Sequence, residues 1–151
     1  MALVTDVASY FISLSRESTP YAITPLKLQK LVYYAQGFHL RRTGDRLFEA
    51  NLLAWEHGPV VRRIFDDYRS YKYNTIPSRK FDNEIDPVTG EPLLTEIEIN
   101  TINAVWNALG DLDGKTLEEL THQEDPWLYT DINDEIDIEL IREYFENQYQ
   151  L

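Results

Sequence analysis

Residues Thr24 to Tyr68 read TPLKLQKLVYYAQGFHLRRTGDRLFEANLLAWEHGPVVRRIFDDY, and the signals within them decide the fold. Thr24 is a good N-cap, because its hydroxyl can accept a bond from an unpaired backbone N–H of a first helical turn. Pro25 follows at the first helical position, where a missing N–H leaves nothing unsatisfied. Leu28, Leu31, Val32, Ala35 and Phe38 then recur at helical spacing and make one apolar stripe, with Lys27, Lys30, Arg41 and Arg42 on or near the opposite side. Gly44 is the expected stop. Leu47, Phe48 and Leu52 to Trp55 form a short apolar run with the character of a strand or strand pair. Gly58 and Pro59 end it, and Pro59 is expected to open a second helix carrying Val60, Val61, Ile64, Phe65 and Tyr68 on one side.

Upstream, Val4, Val7, Ala8, Phe11 and Leu14 predict a helix over about Thr5 to Arg16. Downstream, Lys72 to Leu94 is rich in turn residues, with Asp86–Pro87 and Thr89–Gly90 as breakers, and is long for a loop. A short strand is expected near Ile76. Thr95 and Glu98 have the spacing of a capping box, in which each side chain satisfies a backbone N–H of the first turn. The helix they open carries Ile99, Ile102, Val105, Trp106 and Leu109 and is expected to stop at Gly110. Thr116-Leu117-Glu118-Glu119 repeats the capping pattern for a short helix ending near His122. A last amphipathic helix spans about Asp137 to Gln148, with Ile138, Ile141, Tyr144 and Phe145 as its apolar side. The expected fold is mainly α, a compact helical bundle with a small antiparallel β-sheet or hairpin. One domain covers residues 1–151, with a turn-rich insertion at about 72–94.

With 151 residues, 43% of them hydrophobic and 13% aromatic, the chain can bury a real core and is not of disordered composition. It has no cysteine, which removes disulfides, thiolate metal sites and a thiol nucleophile. The N-terminus has no secretory pattern and no apolar run reaches the ~18 residues of a membrane span, so a cytoplasmic protein without membrane contact is expected. Charge is divided unevenly. Residues 1–81 hold 12 Lys/Arg against 7 Asp/Glu, and residues 82–151 hold 2 against 19, which together give the net charge of −12. The acidic half repels nucleic acid phosphates and attracts a basic partner; equally, it keeps a surface solvated.

Three histidines are the side chains that titrate near neutrality. His57 lies in the Trp-Glu-His-Gly-Pro turn, His122 at the end of a short helix beside Asp125 and Pro126–Trp127, and His39 late in the long helix. A hydrolase needs a base held by an orienting acid, together with a nucleophile or a metal. Glu56, His57, His122 and Asp125 could gather around a metal, but no HExxH and no serine elbow is present, and no serine follows Ser78. The simpler reading makes His57 structural and has His122 bonding across its loop to Trp127. Gly58–Pro59 lacks the glycine run and the following Lys-Ser/Thr of a phosphate loop. Arg62, Arg63, Arg69, Lys72, Arg79 and Lys80 lie among Phe65, Tyr68, Tyr71 and Tyr73, a pattern shared by solvated helix faces, protein interfaces and single-strand binders. The adjacent Tyr33 and Tyr34 point to different sides of their helix, so at least one is expected to leave the apolar stripe, either into the core or as the wall of a partner-binding groove.

Taken together, Leu26 to Gly37, Leu47–Phe48 with Ala54, Gly58–Pro59–Val60 with Tyr68, Leu120–Thr121–His122 and Pro126–Trp127 resemble the Panacea domain family, also described as SocA-like or phage-associated GepA-like proteins. The resemblance runs from about Thr5 to Trp127 and is weakest over Lys72 to Leu94. It implies a non-enzymatic module that engages a protein directly: an antitoxin neutralising a cognate toxin, for which a basic protein suits the acidic half, or an adaptor for a cellular protease. No cofactor and no direct nucleic acid contact are expected. The expected contact residues are Tyr33, Tyr34, Trp55, His57, Arg62, Phe65, Tyr68, Glu118, Glu119, His122, Asp125 and Trp127, with Trp55, Pro59 and Trp127 also holding the fold. The rival readings are a phage or prophage regulatory protein acting on host machinery, and a metal-assisted hydrolase using His57 and His122.

Overall fold

The computed structural model describes residues 1–148. The elements run α1 (Val4–Leu14), α2 (Pro25–Thr43), β1 (Leu53–Trp55), β2 (Gly58–Val60), α3 (Arg62–Tyr68) with a 3-10 turn over Arg69–Tyr71, α4 (Glu96–Leu109), α5 (Gly114–Thr121), α6 (Asp125–Leu128) and α7 (Ile138–Gln148). The fold is mainly α with one small antiparallel hairpin, as the sequence predicts.

α2 is the centre of the fold. Thr24 caps it, accepting from the Lys27 N–H, and it ends at Gly44 in a left-handed conformation. α1, α4, α5, α7 and β2 all pack against it. Every residue from Lys27 to Leu40 is therefore buried, which corrects the expectation of a one-sided apolar stripe. A helix buried on all sides must satisfy its polar side chains internally. The Lys27 Nζ donates to the carbonyls of Gly110 at 2.6 Å and Pro20 at 3.0 Å, and lies 5.5 Å from the Trp106 ring centroid. Gln29 brackets Val61, donating to its carbonyl and accepting from its N–H. Gln36 does the same for the Leu47–Phe48 segment. His39 Nδ1 meets the Thr101 hydroxyl at 2.8 Å. Lys27 and Lys30, expected on the solvent side, are thus interior supports for the surrounding chain. Gly37 lets α7 approach, because a Cβ there would overlap the Phe145 ring.

The hairpin also differs from expectation. Gly58 and Pro59 do not start a helix; they form β2, and α3 begins at Arg62 after Val61. The register pairs Leu53 with Val60, Ala54 with Pro59 and Trp55 with Gly58. The Ala54 N–H and carbonyl both bond the 133–134 segment, so they point away from β2. Pro59 therefore occupies a non-hydrogen-bonded position of the ladder, where its missing N–H is not needed.

Three further boundaries shift. α5 is capped by Asp113, whose carboxylate accepts from the Thr116 N–H, and not by Thr116 itself. Leu47 and Phe48 form no strand beyond an isolated bridge to Ala2. Ile76 is buried and its N–H reaches the Ile23 carbonyl at 2.8 Å, but it forms no strand. The Thr95–Glu98 capping box is present as predicted.

Candidate partner-binding site

Two chain segments, far apart in sequence, meet around the Glu56–His57 turn. The hairpin presents Trp55 to Pro59, and α5, α6 and the residues between them present Glu118 to Trp127. Three contacts tie them together. His57 Nδ1 pairs with Glu118 Oε1 at 2.8 Å, His122 Nε2 meets the Glu56 carbonyl at 2.9 Å, and the Trp127 indole donates to the Trp55 carbonyl at 2.8 Å. His122 and Trp127 do not hydrogen-bond; their rings lie against each other with centroids 4.1 Å apart. On the outer side, Trp55 packs edge-on against Phe65 at 4.9 Å, and the Arg62 guanidinium lies 5.9 Å from the Trp55 ring centroid.

Lys30 lies beneath the turn. It is fully buried, and its Nζ donates to the Pro59 carbonyl at 2.9 Å. Burial pushes its ammonium down to about 7, opposed by attraction to the Glu118 carboxylate. Gly58 fits over it with a φ of 104°, and a Cβ there would stand 2.7 Å from the Thr121 hydroxyl and 2.9 Å from Lys30 Cε. Only glycine takes that backbone conformation at low cost. Deeper still is Glu124, 3% exposed, which accepts the Tyr33 hydroxyl at 2.9 Å and the Tyr34 hydroxyl at 2.7 Å. Burial, followed by the Glu124 and Asp125 charges, pushes the neighbouring Tyr144 hydroxyl up to about 12.

The expected contact residues divide accordingly. Trp55, His57, Glu118, His122 and Trp127 come together, and Arg62 and Phe65 adjoin them through Trp55. Glu119 is exposed and Asp125 half-buried beside this group. Tyr33 and Tyr34 have no exposed surface, so in this fold they are core residues and neither leaves the interior. Tyr68 is likewise buried, stacked near Tyr71 with centroids 6.4 Å apart. Arg62 and Arg63 pair with Asp66 and Asp67 one turn later, which lowers the basic character of that face.

The chemistry available is that of a clasp. His57 has an orienting acid in Glu118, but the Thr121 hydroxyl beside them donates to the Glu118 carbonyl. Among the described residues no group of three or more His, Asp or Glu side chains is placed to hold a metal ion. No helix among them is long and apolar enough to cross a membrane. Lys30 and Glu124 were not expected from the sequence. The signal was the presence of polar residues on every side of an otherwise apolar helix, and of a glutamate directly before Asp-Pro-Trp.

His57, His122 and Trp127 thus tie the hairpin to the α5–α6 region. The antitoxin SocA-like Panacea domain family model matches residues 28–128, and the chain belongs to that family. No curated protein and no solved structure gives a significant match. Membership carries an antitoxin role in general terms, and with it a protein partner.

Proposed function

We propose that this protein is a cytoplasmic antitoxin that neutralises a cognate toxin by direct protein–protein contact, its whole length working as one domain. The observation that carries this reading is the family match over residues 28–128. The geometry of the clasp supports it, because the polar groups that an enzyme would turn toward substrate are engaged in holding the hairpin. The charge of the C-terminal half favours a basic toxin. An adaptor that hands its client to a cellular protease requires the same first step, a stable complex, and differs in the fate of the bound toxin.

Co-expression with the product of the adjacent gene tests the reading. The neighbour alone should arrest growth, the pair should grow, and the two proteins should co-purify. A harmless neighbour, or growth arrest that persists while both proteins are present and soluble, overturns it. Toxin levels then divide the two modes: a constant amount of toxin in rescued cells indicates neutralisation by contact, and a falling amount indicates delivery to a protease.

A further inference from the structure

The outer side of the hairpin and the helix that follows it carry a run of cations and rings. The Arg62 guanidinium lies over the Trp55 ring at 5.9 Å, Trp55 meets Phe65 edge-on at 4.9 Å, and the Arg69 guanidinium lies over the Phe65 ring at 6.0 Å. Both rings are half-buried and both arginines are exposed. Just beyond the 3-10 turn, exposed Lys72 holds a φ of 55° that non-glycine residues rarely adopt, and Tyr73 beside it is 96% exposed.

Charge on this face is only partly compensated. Arg62 and Arg63 pair with Asp66 and Asp67, but all four are exposed, and pairs of that kind are weak enough for a partner's carboxylate to take over the arginine. Arg69 and Lys72 have no ion-pair partner among the described residues. Four cations against two carboxylates over residues 62–72 leave a local excess of two positive charges in a protein of net charge −12. A guanidinium resting on a ring is held in place yet keeps its N–H edge open, which suits it to grip a carboxylate. A nucleic acid strand needs open ring faces along a positive track. Here each ring has a guanidinium over it and the other ring against it, and Asp66 and Asp67 interrupt the track.

We propose that α3 and its 3-10 turn dock an acidic segment of another protein, with carboxylates gripped by Arg62 and Arg69 and an apolar side chain set against Trp55 and Phe65. Charge complementarity selects the occupant: the uncompensated charges here are positive, and the two arginines nearest the rings are already positioned. This goes beyond the antitoxin reading, which assigns a basic partner to the acidic half, and does not depend on it.

The probe is a short synthetic peptide alternating glutamate and leucine, compared with a lysine–leucine peptide and with oligothymidylate. Binding to the whole protein is followed by fluorescence anisotropy, and the site by amide chemical shifts. The glutamate peptide should bind and move the resonances of Trp55, Phe65, Arg69 and Tyr73, against the repulsion of a net charge of −12. Arg69→Glu with Lys72→Glu should weaken it about tenfold. Arg16→Glu with Arg42→Glu, an equal change of charge on other elements, should lose less than about twofold, since distant exposed charges are screened. All four residues are exposed, so neither change disturbs the core. Absence of shifts at those resonances overturns the proposal, as do equal losses in the two variants or the same shifts from the lysine peptide. Oligothymidylate that moves them at lower concentration gives the face to single-stranded nucleic acid, and self-association abolished by Arg69→Glu with Lys72→Glu gives it to a second copy of the chain; either result overturns the proposal. A protein that neutralises its toxin without binding the glutamate peptide loses this proposal and keeps the antitoxin reading.

Discussion

Replacing Lys30 by methionine should turn a pH-dependent stability into a flatter one. Lys30 is enclosed beneath the hairpin, with the Pro59 carbonyl as its acceptor and the Glu118 carboxylate as the opposing charge. Its folded-state pKa is pushed down to about 7, whereas an unfolded lysine titrates near ~10.4. Below about pH 7 both states carry the proton, and the full penalty of burying the ammonium is present. Between about pH 7 and about pH 10 the unfolded chain holds a proton that the folded chain has released, so the stability of the fold rises with pH. The slope approaches ~1.4 kcal/mol per pH unit, and integration from about pH 7 to about pH 9 gives roughly 2 kcal/mol. Methionine fills a similar volume without the charge and loses one hydrogen bond, a pH-independent term of ~1 kcal/mol. Lys27, pushed down to about 8 by burial, titrates in both proteins and cancels in the difference. The variant's stability relative to the parent should therefore fall by roughly 2 kcal/mol across that window. Urea unfolding, followed by the fluorescence of the three tryptophans at constant ionic strength, measures it. A difference that stays constant from about pH 7 to about pH 9 would refute the reasoning, and would mean that the carbonyl and Glu118 hold the ammonium charged within the fold.

Trp127→Ala removes the indole bond to Trp55 and the ring against His122, and should cost about 3 kcal/mol, or roughly 10 °C in Tm. His57→Ala breaks a pair whose histidine is 70% exposed and should stay within about 1 kcal/mol of the parent; a larger loss in a thermal melt would make this contact a structural keystone. Gly58→Ala meets both a positive φ and the Thr121 hydroxyl, and should cost ~2 kcal/mol or more, with no rescue by Thr121→Ala, since the backbone strain remains. Association with the toxin should slow about tenfold between low and high salt, and Glu119→Lys with Asp125→Lys should slow association more than they speed dissociation. Stopped-flow kinetics insensitive to both changes would make the acidic half only a solvated surface.

Local signals in the sequence were legible at most places where both partners lie within a few residues, the exception being α5, whose cap is Asp113 and not Thr116. Thr24 with Pro25, and Thr95 with Glu98, cap their helices as expected, because a cap is a contact across three residues. Lys27 and Lys30 were misplaced because their acceptors are remote: the Gly110 carbonyl lies 83 positions from Lys27, and the Pro59 carbonyl 29 from Lys30. No periodicity reports an acceptor that only the tertiary fold supplies. Pro59 was ambiguous in principle, since its fixed φ suits a first helical turn and an edge strand alike. What decided it was Ala54, whose backbone bonds turn toward the 133–134 segment. Among the candidate contacts, the hairpin and α5–α6 residues did converge, while Tyr33 and Tyr34 went inward because Glu124 gives both hydroxyls an acceptor in the core.

The side chains that α2 extends sideways also govern how the molecule fluctuates. The peripheral segments near Pro20, Leu47, Pro59, Val61 and Gly110 are each held by a lysine or glutamine of this one helix. Detaching the Leu47, Pro59 or Val61 segment alone would leave a buried amide or ammonium short of a partner, at about 1–3 kcal/mol or more each, a sizeable part of a small domain's stability. Partial openings are therefore suppressed relative to complete ones, and amide exchange from Lys27 to Leu40 should proceed through global unfolding, at rates tracking denaturant midpoint from variant to variant. On the proposed reading, a partner docking on the hairpin would find it already in place, and encounter would need no folding step.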